Sequence, residues 1–217
     1  MRSVFHARLA ALDQNLASLC EQVGHALRRA VEAALTADLR LAEEVISEGR
    51  DIDHEARQVT IDAAYLTAQQ QPVAHDLRVL LAAAQQAVSL RRMTGLATNI
   101  AKATRRRYPR PLIPREVRDV VVDMADLGQS LTDRLQRALG EADLASAHVV
   151  RAAGAQMGSL HTEMLAIVGS SAWPHDVSTA VDVCMLSRDL QRFAEHARTI
   201  AEDVVYVATG SAPTVAH

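Results

Sequence analysis

The same helical face is written twice in this chain, one hundred residues apart: Leu90, Arg92, Met93, Ala97, Ile100 and Ala101, then Leu190, Arg192, Phe193, Ala197, Ile200 and Ala201. Five of these six positions are identical. Steps of three and four place the apolar members on one side of a helix with 3.6 residues per turn. An earlier segment repeats as well. Ala37-Asp38-Leu39, followed by Ala42 and Val45, matches Ala142-Asp143-Leu144, followed by Ala147 and Val150. Two matches in the same order indicate a duplicated unit, so the chain is expected to form two similar helical halves with paired sites.

The apolar periodicity predicts three helices in each half. Leu9, Leu12, Leu16, Leu19, Val23, Leu27, Ala30 and Ala34 form the first stripe, and Leu41, Val45, Ile52, Ala56, Val59, Ala63 and Leu66 the second. Asp38 stands between them as an N-cap. After Pro72, Leu77, Leu81, Ala84 and Val88 and then Leu90, Met93, Ala97 and Ile100 carry a third helix to about 107. Pro109, Pro111 and Pro114 mark 108–114 as a linker, because each lacks an N–H and disfavours helix before it. Beyond it come Val117, Val121, Met124, Leu127, Leu131, Leu135 and Ala138, then Leu144, Ala147, Val150, Met157, Leu160, Met164 and Ile167. A break at 170–174 precedes a last stripe, Val177, Val183, Leu186, Leu190, Phe193, Ala197, Ile200 and Val204. The expected organisation is a first three-helix bundle over 1–107, the linker, a second bundle over 115–210, and a fraying tail over 211–217.

Composition narrows the function. Phe, Trp and Tyr make up 3% of the 217 residues, so Leu, Val, Ile and Ala must fill an all-α core. A net charge of -3 argues against a nucleic-acid partner, which would require a basic face. No apolar run approaches the roughly 20 residues of a membrane span. Arg2, His6, Arg8 and Asp13 interrupt any secretory core at the N-terminus, which points to the cytoplasm. Cys20 and Cys184 lack metal or redox spacing and read as buried thiols. The nine histidines show no HxxxH, HExxH or ExxH arrangement, and no Ser, Cys or Lys stands beside an evident base, so no catalytic residue is assigned.

Two charged groups are candidate partner surfaces. Glu44, Glu48, Asp51 and Glu55 recur at four, three and four, either as a solvated face, or as an acidic surface for a partner's basic residues or a remnant cation site. Lys102, Arg105, Arg106, Arg107 and Arg110 lie at the end of the third helix and in the linker, where they either complement the helix dipole or reach an anionic partner.

The run Gln70-Gln71-Pro72-Val73-Ala74-His75-Asp76-Leu77-Arg78, together with Phe5, Leu9 and Leu12, the cluster Asp51-Ile52-Asp53 with Glu55, and the duplicated third helix, resembles the PhoU family over nearly the whole chain. The resemblance implies two three-helix bundles side by side in a cytoplasmic adaptor, and no enzyme. Such an adaptor lowers phosphate uptake and phosphate-starvation signalling when phosphate is plentiful. The implied partners are the ATPase subunit of a phosphate ABC transporter, a phosphate sensor histidine kinase and a second copy of the chain. Membrane association would come only through those partners.

The family pattern also sets two carboxylates four residues apart in the third helix of each half, an arrangement associated with iron or zinc. Here the first copy reads Arg91-Arg92-Met93-Thr94-Gly95 and the second Gln191-Arg192-Phe193-Ala194-Glu195. Arg91 cannot ligate and Gly95 has no side chain, so the first site is read as lost, and Glu195 is the one remaining candidate ligand. No cofactor is required on this reading. Arg92 and Arg192 match the family arginine and are candidates for helix bracing or partner contact. A metal-binding bundle, or a diverged paralogue with other partners, is the alternative function.

Overall fold

The computed structural model describes residues 2–211, and all regular structure within them is helical. The elements are α1 (Arg2–Thr36), α2 (Leu39–Gln70), α3 (Ala74–Arg107), a 3₁₀ turn (Arg115–Val117), α4 (Arg118–Gly140), α5 (Leu144–Ala152), α6 (Gly154–Val168) and α7 (Val177–Thr209). Residues 212–217, most of the expected fraying tail, lie outside the described residues.

The repeated corners are built alike. Ala37 and Ala142 take φ of 55° and 54°, turning the chain out of one helix. Asp38 then accepts a hydrogen bond from the Leu41 N–H at 2.9 Å, and Asp143 from the Ser146 N–H at 3.2 Å, which satisfies a free donor at the next helix start. Asp176 caps α7 in the same way through Thr179.

Six rods result, but the fifth is divided. The single stripe expected over 144–167 is broken at Ala153, whose N–H bonds to Val150 O three residues back and leaves the α-helical ladder. Gly154 follows, with no atom within 4 Å of where a Cβ would lie, so no neighbour clamps the two segments into one line. In α3 the expected line through Leu90, Met93, Ala97 and Ile100 is buried, but the phase of the preceding part is off. Leu81 and Val88 are exposed, and the core line runs through Leu80, Ala83, Ala87 and Leu90. This helix packs against α1, α2 and α7, so its buried face is too wide for one stripe to locate.

Equivalent helices pair antiparallel across the middle of the molecule. On the α1–α4 seam, Arg118 donates to Leu35 O and Gln136 to Glu21. On the α3–α7 seam, Arg107 at the end of α3 meets Asp182 and Thr179 near the start of α7, while Arg78 lies against Gly210 just beyond its end. Two such seams are the mark of a local twofold relation between the halves. Hence one apolar core runs through both, with Met93 and Phe193 fully buried. The proline-rich segment joins this core, since Leu112 and Ile113 are buried and the Leu112 N–H bonds to Ala34 O. Among the described residues no helix is long and apolar enough to cross a membrane.

The core also takes in acids. Burial pushes Asp203 up to about 7, reinforced by the charge of Glu202, and its Oδ2 is buried without a hydrogen-bond partner. Burial likewise raises Asp13 to about 6 against the opposing charge of His75, and Asp189 to about 6 against that of Arg192. For an acid with a raised folded pKa, the native state holds the proton more tightly, so its contribution to stability falls as pH rises from about 4 to the folded value. Asp203→Asn is therefore expected to gain on the wild type by a few kcal/mol between pH 4 and pH 8, read from urea midpoints. A pH-independent difference would contradict the burial argument.

Candidate functional site

Antiparallel packing of α3 on α7 carries the two repeated arginines to one place. Arg92 and Arg192 line a single cavity of about 310 Å³, together with Asp53 from α2 and Arg91, Asn99 and His196. Val88 and Leu96 supply apolar wall, and Gly95 leaves an opening where a side chain would stand. A neighbouring recess of about 320 Å³ shares Asp53, Arg91, Gly95 and Asn99 and continues toward Arg50 and Lys102.

The electrostatics are lopsided. Asp53 is the one carboxylate on the cavity wall. It is already shared, accepting from Arg57 Nε at 2.7 Å and from Arg91 Nε at 2.8 Å. Burial opposes its ionisation, yet these two bonds outweigh that and hold its carboxyl below the usual range. His196 is pushed down first by burial and then by the charges of Arg192 and Arg92, with Glu195 opposing. The fields of both arginines thus overlap at one imidazole, which is neutral near pH 7.

The family's metal chemistry does not fit these side chains. In the first half a guanidinium stands at 91 and no side chain at 95. In the second, Glu195 pairs with Arg188 at 3.2 Å, and Arg188 also donates to Gln191 at 2.8 Å. Among the described residues no group of three or more His, Cys, Asp or Glu is placed to hold a metal ion.

The remaining candidates are largely engaged within the fold. Glu44 and Glu48 both bond to Arg29 of α1 at 2.5 Å, and Arg40 also reaches Glu44. Glu55 accepts from Gln22 at 3.0 Å, while Asp51 is exposed beside Glu48 in a recess with His25. Arg105 pairs with Glu43 at 3.4 Å, Arg106 with Asp182 at 3.0 Å, and Arg107 with Asp182 at 3.4 Å. The basic run thus ties the end of α3 to α2 and α7, a role that helix-dipole reasoning does not reveal. The sequence reading also missed His161 and Ser187, 2.7 Å apart. Ser187 is fully buried and its hydroxyl donates to Met124 Sδ at 3.7 Å, so it presents no nucleophile to solvent.

Fold and cavity define a duplicated helical scaffold with a cationic cleft on its seam. The sequence pattern of the PhoU domain matches residues 16–104 and 121–204. The phosphate-specific transport system accessory protein PhoU homolog 1 of Mycobacterium leprae is 36% identical over 213 residues, covering 98% of this chain and 96% of that one. Homolog 2 of Mycobacterium tuberculosis is 37% identical, covering 98% and 100%. The crystal structure of the phosphate transport system regulatory protein PhoU from Streptococcus pneumoniae has the same fold, with a TM-score of 0.87 at 22% identity over 97% of this chain and 100% of that one. The chain belongs to the PhoU family of phosphate transport accessory proteins, a family of regulators and not of enzymes.

Proposed function

We propose that this chain works in the cytoplasm, as a homodimer, to hold back phosphate uptake and phosphate-starvation signalling when phosphate is plentiful. The observation that carries the reading is its likeness, at 36% and 37% identity over 98% of the chain, to proteins named as phosphate-specific transport system accessory proteins. The partners are the ATPase subunit of a phosphate ABC transporter and a phosphate sensor histidine kinase. They are met on exposed helical faces, and membrane association follows from them. Deleting the chain is expected to raise a phosphate-starvation reporter several-fold in phosphate-rich medium, and an unchanged reporter would sink the reading. Capture of the native protein should recover the ATPase and the kinase; recovery of neither overturns the partner assignment. Loss of the acids at 91 and 95 favours, as a second reading, a paralogue serving other partners. That reading predicts capture of a different set and an unchanged reporter.

A further inference from the structure

We infer that the cavity holding Arg92 and Arg192 is a binding site for a phosphate-type oxyanion. Among the described residues neither arginine makes an ion pair or a side-chain hydrogen bond, whereas Arg57, Arg91, Arg107 and Arg188 are all paired. Two guanidinium groups from opposite helices, neither held in a hydrogen bond or close ion pair and Arg192 balanced only through space by Asp189, therefore share one cavity. Arg91 adds donors to the same wall. Its Nε is spent on Asp53, but a guanidinium has five N–H groups, and the remaining ones are free to serve a ligand. Asn99 and the neutral His196 contribute further polar contacts without adding negative charge.

This donor set selects among ligands. A cation would meet three guanidinium groups opposed by one carboxylate already bonded twice. A carboxylate ligand has two oxygens in one plane and needs a single arginine fork. Forks arriving from two helices suit a tetrahedral dianion whose oxygens point in several directions. The cavity, about 310 Å³, sits at the small end of ligand sites, and it is open to solvent, with Arg92, Arg192 and Asn99 exposed on its wall, so an anion can reach the guanidinium groups directly. Inorganic phosphate and a short condensed phosphate share this chemistry.

The site rests on these side chains and not on the transport reading. Binding phosphate without recovering a transporter partner would leave the site standing and the transport role fallen.

The test is calorimetric titration of the full chain with inorganic phosphate and, separately, with pyrophosphate, at millimolar concentration. Saturable binding of phosphate identifies the free ion as the ligand, and binding of pyrophosphate alone identifies the condensed form. Arg92→Gln and Arg192→Gln should each weaken binding by about ten-fold or more, and the double variant should abolish it. Arg151→Gln, at an exposed position outside the cavity, should bind as the wild type does. Thermal unfolding separates loss of the site from loss of the fold. The double variant should keep or exceed the ligand-free midpoint, because like charges are removed, while losing the upward shift that ligand gives the wild type. No saturable binding of either anion by the wild type, or undiminished binding by a folded double variant, overturns the assignment.

Discussion

Phe193→Ala is expected to remove about 3–5 kcal/mol of folding stability, among the largest losses available to a single side chain in this molecule. Phe193 is fully buried on α7, and its ring lies 3.7 Å from where a Cβ would stand on Gly128 of α4. The space left by the missing side chain of Gly128 is taken by Leu27 Cδ2 of α1, 2.7 Å from that point, and the ring packs beside it at contact distance. Truncation would open a void on the line where α4 and α7 meet, and packed helices relax only partly into such a void. The equivalent residue in the other half is Met93, also fully buried. Phe193→Met copies that half into this one and nearly conserves volume, so it should cost less than about 1.5 kcal/mol. Denaturant unfolding of both variants gives the comparison. An alanine variant within about 1 kcal/mol of the wild type would show that this seam is not packed as described.

Much of the fold was legible because the first, second and fourth stripes are narrow. Residues of α1 such as Leu16, Val23, Leu27 and Ala30 are fully or almost fully buried at the spacing expected of them. Asp38 was legible as a cap for an equally local reason, since an N-cap bonds within three residues. What stayed hidden was set by tertiary packing. The phase of α3 depends on its three neighbours, and the break at Ala153 follows an Ala-Ala-Gly sequence that carries no proline to announce it. The segment 108–114 read as a linker, but the burial of Leu112 and Ile113 depends on where Ala34 ends up. The cavity shows the same division. The repeat singled out Arg92 and Arg192 as equivalent, but equivalence in two halves does not imply proximity. Only the antiparallel seam turns two copies into one constellation and adds Asp53, Asn99 and His196 to it. The ion pairs of Arg106 and Arg107 with Asp182 cross from α3 to α7, more than seventy residues on, and no local pattern encodes them.

Gly24→Leu should cost roughly 3 kcal/mol or more, which for a chain of this length corresponds to a fall of about 6–12 °C in unfolding midpoint. Gly24 is buried on α1, and a Cβ there would lie 2.4 Å from Thr132 Oγ1, 2.9 Å from Gln129 Nε2 and 3.1 Å from Thr132 Cβ of α4. Thr132 is fully buried, β-branched and bonded to Gln129 O at 2.8 Å, so it has little freedom to rotate away. The helices themselves must separate, and α1 on α4 is one of the two seams joining the halves. Gly49 makes a contrast. Its nearest neighbour, Thr98 Oγ1 at 2.5 Å, belongs to a half-buried side chain and the next atom is 3.6 Å away, so Gly49→Ala should cost less than Gly24→Ala. Gly95 has nothing within 4 Å, and Gly95→Ala should gain about 0.5–1 kcal/mol from helix propensity. If close approach is the cause at Gly24, Thr132→Ala in the same chain should recover part of the Gly24→Ala loss, because it removes the atom that is struck. Strictly additive losses in that pair would place the cost elsewhere than in the α1–α4 contact.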